Sequence, residues 1–161
     1  MIRNATLNDV PSICGIYNHY VLNTITTFEE TAVSMEEMQQ RIQSTQEKWP
    51  WIVYEEQGQV IGYAYATAWK MRSAYKQTLE STVYLAPDAG GKGIGTKLYL
   101  ELLQRLKGLD IHAVIGGISL PNAASVALHE KLGFEKAGQL KEVGNKFNQW
   151  IDVGYWELLI K

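Results

Sequence analysis

The stretch LAPDAGGKGIGTKL, Leu85–Leu98, decides the fold. It places glycine at 90, 91, 93 and 95 around Lys92, then runs into apolar residues at helical spacing. Glycine at that density lets a backbone approach another group closely. The helix N-terminus behind it, with free N–H groups and the positive dipole end, favours an anion such as phosphate. A simple chain reversal would also use glycine, but four in six positions beside a lysine fit a phosphate cradle better. A P-loop is excluded, because Gly91-Lys92 is followed by Gly93 and the Mg²⁺-binding hydroxyl is missing. A Rossmann turn fits poorly: the loop lies mid-chain after a hairpin, with no acidic residue ending the next strand.

Working outward, Thr78–Leu85 alternates as a strand into the loop. Ile94, Leu98, Leu102 and Leu106 form one stripe of the helix behind it, and Gly108 stops that helix. Upstream, Ile2–Ala5 is extended, and Thr6 or Asn8 caps a helix running to about Tyr20, with Val10, Ile13, Ile16 and Tyr17 inward. Ser34-Met35-Glu36-Glu37 reads as a capping box for a helix carrying Met38 and Ile42. Trp51–Tyr54 and Val60–Trp69 make a hairpin. Downstream, Ile111–Ile118 is a strand, Pro121-Asn122 opens a helix closed by Gly133, and Phe134–Leu140 and Trp150–Ile160 are closing strands. This order predicts one α/β domain over 1–161.

The bulk numbers narrow the function classes. The 161 residues are 46% hydrophobic and 20% charged, with net charge −2. That balance gives a nucleic-acid or anionic-membrane partner no electrostatic support. No apolar run reaches bilayer-spanning length, and the N-terminus has no signal-type apolar region. Cytoplasm is the expected compartment. Cys14 is the one cysteine, so no internal disulfide forms, and it reads as a core residue. His19 and His112 lack partners at a metal spacing, and no metal is expected.

Three further features bear on chemistry. Glu80 stands mid-strand, on one side with Thr78, Thr82 and Tyr84. A solvated face explains it as well as a general base does. Asn122, Ser125 and His129, at i, i+3 and i+7, make a polar stripe on one helix face. Capping explains Asn122, surface tolerance Ser125, and a hydrogen-bonded helix histidine His129. Lys70, Arg72 and Tyr75 share one loop, which is either a solvated basic turn or an anion-recognition element.

Gly93-Ile94-Gly95 resembles the acetyl-CoA pyrophosphate loop of the GNAT acetyltransferase superfamily, and LPNAASVALHEKLGF, Leu120–Phe134, resembles its later motif. Ile16–Phe28, Trp69–Leu85 and Val143–Leu158 closely resemble the phosphinothricin and methionine sulfoximine N-acetyltransferases within it. That resemblance implies a GNAT fold with a mixed, largely antiparallel sheet flanked by helices on both faces. It implies acetyl-CoA as co-substrate and direct transfer to the α-amino group of a small amino acid. Glu80 would be the base and His129 the acid. Val83, Tyr84, Leu85, Gly90, Gly91, Lys92, Gly93, Ile94, Gly95, Thr96, Asn122 and Ser125 would bind the cofactor. Phe28, Lys70, Arg72 and Tyr75 would bind substrate. A homodimer and a part in antibiotic or herbicide resistance are also implied. Lys146 and Trp150 match the family without an assigned role. The loop departs from it, since Gly90-Gly91 stands where relatives carry a Gln or Arg followed by a basic residue. A protein N-acetyltransferase and a non-catalytic acyl-CoA sensor are the competing readings.

Overall fold

The computed structural model describes residues 1–160; Lys161, the last residue of the expected domain, lies outside them. Strand β1 is Ile2–Asn4, helix α1 Val10–Asn23, helix α2 Met35–Gln46, strand β2 Trp51–Glu56, strand β3 Gln59–Ala68 and strand β4 Thr78–Leu85. Helix α3 is Ile94–Lys107, strand β5 Ala113–Leu120, helix α4 Ala123–Lys131, strand β6 Glu135–Lys146 and strand β7 Gln149–Leu159. The sheet order is β1-β2-β3-β4-β5-β7-β6. Every neighbouring pair is antiparallel except β4–β5. No helix among the described residues is long and apolar enough to cross a membrane.

Each face of the sheet has its own core. Ile94, Leu98, Leu102 and Leu106 of α3 are buried against Ile52, Ala64, Ala66, Leu79 and Val114 on one face. Val10, Ile13, Ile16 and Tyr17 of α1, with Met38 and Ile42 of α2, cover Trp51, Val53 and Tyr63 on the other. Period-2 alternation divides the strands this way. Cys14 is a core residue, its thiol directed at the Val33 carbonyl.

Differences from the sequence expectation lie at element ends. Helix α1 starts later, after a 3₁₀ turn at Leu7–Asp9, and continues to Asn23. Ser34 caps α2 by accepting from the Glu37 N–H, but the Glu37 carboxylate pairs with Arg41 rather than closing a capping box. Strand β6 runs to Lys146, six residues past Leu140. Register shifts at Lys136/Gly138 and Leu140/Gly144 break its alternation. The Asp152 carboxylate accepts the N–H of Glu142, which adopts positive φ within the second irregularity.

Strands β4 and β5 pair over three positions only, Thr78–Ala113, Leu79–Val114 and Glu80–Ile115. Beyond them β4 stays with β3 and β5 with β7, so the centre of the sheet opens into a wedge. The wedge positions the site.

Candidate active site

A cavity of about 470 Å³ occupies the wedge. Glu80, Thr82 and Tyr84 reach it from one side of β4, and Ser81 and Val83 from the other. Tyr99 of α3, with Asn122, Ser125 and His129 of the α4 region, closes it on the α3 side. Tyr17, Thr26, Thr27, Phe28 and Tyr65 line the α1 side. A groove of about 530 Å³ adjoins it and shares Val83, Tyr84, Asn122 and Ser125 as lining. That groove follows Leu85, Gly90, Gly91, Gly93, Ile94, Gly95 and Thr96 to Lys131 at the end of α4.

Two glycines allow chemistry from both faces to meet. A Cβ on Gly116 would overlap the imidazole of His129. A Cβ on Gly117 would sit 3.3 Å from the Tyr155 ring and 3.9 Å from a Glu80 carboxylate oxygen. Successive strand residues face opposite sides, so Gly116 makes room for His129 on one face, and Gly117 lies against the Tyr155 ring with Glu80 beyond it on the other. Sequence reasoning passed over both, although a glycine pair inside a strand signals close approach.

Burial acts on the two titratable groups in opposite directions. Desolvation raises the Glu80 carboxyl above the usual carboxylate range, with Lys70 opposing. It lowers the His129 imidazole, opposed by the bond to Ser125. Nδ1 of His129 lies 2.7 Å from the Ser125 carbonyl, which can only accept, so Nδ1 carries the hydrogen. In the neutral ring Nε2 therefore accepts from the Tyr99 hydroxyl, at 2.9 Å. Ser81 Oγ stands on the far side of that hydroxyl and completes a buried chain. Tyr99 and Ser81 were hidden in the sequence among residues that read as helix and strand core.

The remaining expected residues divide. Asn122 caps α4, its side chain accepting the Ser125 N–H, and also faces both cavities. Gly91 and Gly93 have φ of 78° and 75°, where a side chain would be strained. A Cβ on Gly90, Gly91 or Gly93 would meet nothing within 4 Å, so this backbone is open to a partner. Phe28 lines the central cavity. Lys92, Lys70, Arg72 and Tyr75 do not line either cavity. Lys92 is exposed beside the groove, and Lys131 is the basic residue that lines it. Arg72 and Tyr75 stand on the exposed β3–β4 connection. Lys70 lies over the Trp69 ring at 5.0 Å, close enough to Glu80 to favour its charged form.

Residues 2–154 match the model of the acetyltransferase (GNAT) domain. A phosphinothricin N-acetyltransferase of Streptomyces viridochromogenes is 39% identical over 97% of this chain and 85% of its own. An L-methionine sulfoximine/L-methionine sulfone acetyltransferase of Pseudomonas aeruginosa is 36% identical over 98% and 92%. Among solved structures, a phosphinothricin acetyltransferase of Sinorhizobium meliloti in complex with AcCoA superposes with a TM-score of 0.96. It is 40% identical and covers 99% of this chain and 88% of its own. A ribosomal-protein-alanine N-acetyltransferase from Brucella melitensis gives 0.97 at 38% identity, covering 99% of both chains.

Replacing Gly116 with alanine puts a methyl group into the space of the His129 ring. We expect Gly116→Ala to cost about 1–3 kcal/mol of stability by overpacking and to detach His129 from Tyr99. Denaturant titration reads the first effect, and the nitrogen chemical shifts of the imidazole read the second. An unshifted imidazole spectrum would contradict the placement.

Proposed function

The chain belongs to the acetyltransferase (GNAT) family, and on that footing we propose that it acetylates the α-amino group of a small amino acid or analogue, of the phosphinothricin or methionine sulfoximine type. One observation carries the reading: Glu80 and His129 meet in a single wedge cavity beside a glycine-lined groove. A sensor that only bound an acyl carrier would need neither group. Transfer to a ribosomal protein's alanine, the activity named for the Brucella relative, would call for room for a chain. A cavity of about 470 Å³, walled by Phe28 and Tyr155, suits a single amino acid better.

The groove residues fit acetyl-CoA. Backbone N–H groups at Gly91–Thr96, at the N-terminus of the 14-residue α3, would hold the pyrophosphate. Lys131 would supply the side-chain charge that Gly90-Gly91 lacks. Val83, Tyr84 and Leu85, left without β5 as a partner, would hold the pantetheine by backbone bonding. When bound, acetyl-CoA supplies an acyl group activated as a thioester.

Glu80 would take a proton from the substrate ammonium, through water, and free the nitrogen lone pair for attack. Its raised pKa brings it closer to the amine and eases that transfer. His129 would carry a proton to the departing sulfur. In the imidazolium, Nδ1–H stays on the Ser125 carbonyl and Nε2–H turns to the Tyr99 oxygen. The Tyr99 hydroxyl then gives its proton to the thiolate while Nε2 returns one to Tyr99. The pair ends as neutral imidazole and phenol, the arrangement described above. The ammonium loses two protons in all. The first leaves through Glu80 to solvent; the second, shed by the nitrogen once it has attacked, passes by way of Tyr99 to His129 and ends on sulfur. Two N–H bonds and the C–S bond are broken, N–C and S–H are formed, and one proton is released.

The enzyme would work as a homodimer in the cytoplasm. Strand β6 is exposed along Glu135–Val143, and Leu140, Val143, Phe147 and Trp150 of the β6–β7 hairpin present apolar area. An uncovered edge of this kind is an association surface, and a second copy would cover it. Acetylating a toxic analogue would confer resistance to it.

The substrate reading is tested by kcat/KM across phosphinothricin, methionine sulfoximine, methionine sulfone and common amino acids. We expect the analogues to exceed glutamate by at least tenfold, and equal values would refute that class. Activity should rise with pH as Glu80 loses its proton, through a midpoint above the ordinary carboxylate range. Glu80→Gln should remove that limb and lower kcat about a hundredfold or more. Lys131→Met should raise KM for acetyl-CoA about tenfold, the size of one charged contact of about 1.4 kcal/mol, while Lys92→Met leaves it nearly unchanged.

A further inference from the structure

Lys146 is a lysine at 2% exposure, near the tip of the β6–β7 hairpin and far along the chain from what it touches. Lysine is seldom buried without a partner. Its ammonium donates to the Thr27 carbonyl at 2.8 Å and points to the Tyr20 carbonyl at 3.5 Å. The Phe147 ring lies 5.3 Å away. Tyr20 stands in the last turn of α1, where the dipole is negative and a cation is favoured. The same carbonyl accepts from the N–H and hydroxyl of Thr24. The ammonium thus joins the hairpin to both ends of the Thr24–Thr27 loop.

Two residues earlier on the same strand face is Gly144. A Cβ there would overlap the ring of Phe28, so the phenyl group fills the space that the glycine leaves. Phe28, Thr26 and Thr27 line the central cavity, and so does Val143 from the hairpin. The loop is tied on its other side as well. Tyr17 shares hydrogen bonds with Thr27 Oγ1, at 2.9 Å, and with Glu29, at 2.6 Å. Arg41 of α2 holds both Glu29 oxygens, at 2.6 and 3.1 Å. Those contacts fix the loop to α1 and α2. Lys146 and Gly144 fix it to the opposite wall, on β6.

We infer that Lys146 and Gly144 are positioning residues that seat Phe28 as one wall of the amino-acid pocket and so determine which acceptor side chains are taken. The inference rests on the N-acetyltransferase reading above. The ammonium holds the loop's backbone, and the missing Cβ lets the ring pack down onto the strand. With either lost, Phe28 stands away from Val143 and the pocket widens on that side. Acceptors are then told apart less sharply, while the acetyl-CoA groove, walled mainly by β4, the glycine loop, α3 and α4, meets α1 and this loop only at Tyr20 and Thr26 and changes little.

The test measures KM and kcat for the best acceptor and for a smaller one, alanine, in Lys146→Met, Gly144→Ala, Phe28→Ala and the double variant Gly144→Ala/Phe28→Ala. We expect each of the first three to raise acceptor KM about tenfold and to narrow the kcat/KM ratio between the acceptors by a similar factor. KM for acetyl-CoA should stay within twofold. In the Phe28→Ala background, Gly144→Ala should add nothing, because the ring it collides with is gone. Gly144→Ala keeps the test decisive where Lys146→Met does not fold. Unchanged acceptor selectivity in Gly144→Ala, or full additivity with Phe28→Ala, overturns the positioning role and leaves the enzymatic reading standing. A wild-type protein that acetylates no acceptor overturns both.

Discussion

The molecule depends on one parallel strand pair that does not stay paired. Strands β4 and β5 share three positions and then separate, and each is held by its outer neighbour as it leaves. Backbone N–H and C=O groups inside a sheet must find partners. A wedge at the sheet's centre therefore exposes polar main chain to whatever enters. It also removes the barrier between the two faces of the sheet. Glu80 belongs to the α1–α2 side and His129 to the α3–α4 side. In a continuous sheet they would never share a space.

The same burial that would destabilise each charge makes the pair useful. A carboxyl pushed up and an imidazole pushed down approach each other in proton affinity. The hydrogen-bond chain then gives His129 a direction. Ser125 fixes the Nδ1 end, so every proton gained or lost passes through Nε2 and Tyr99. The histidine stands over Gly116 because the strand yields its Cβ there. Geometry, tautomer and proton affinity thus follow from two short contacts and one missing methyl group.

The helix and strand order was legible in the sequence because it rests on local periodicity. Ile94, Leu98, Leu102 and Leu106 recur every fourth residue, close to the helical period, and Thr78–Leu85 is a strand at its expected bounds. Strand β6 was cut short at Leu140, since its bulges break alternation and its residues are mostly exposed on both faces. Site residues carried by a resemblance motif were nameable one by one. What could not be read was which of them meet. Lys92 and Lys131 are both basic residues near helix ends, and only the placement of α4 beside the glycine loop decides which one lines the groove. Tyr99 reads as one more apolar position of α3 until the wedge brings His129 beside it.

Helix α4 meets the first turn of α3 at Gly95 and Leu128. A Cβ on Gly95 would stand at ordinary contact distance, 3.4 Å from Leu128 and 3.6 Å from Leu85, so the first turn of α3 lies beside α4 and the end of β4. Glycines at 90 and 91 offer no side chain to a phosphate at this loop, so charge there would come from another element. Lys131 stands one helical turn beyond Leu128 on α4, so the contact at Gly95 sets where that charge falls relative to the loop. The loop therefore does not act alone. Its N–H groups would receive the phosphate, and Lys131 of α4, across the same groove, would neutralise it.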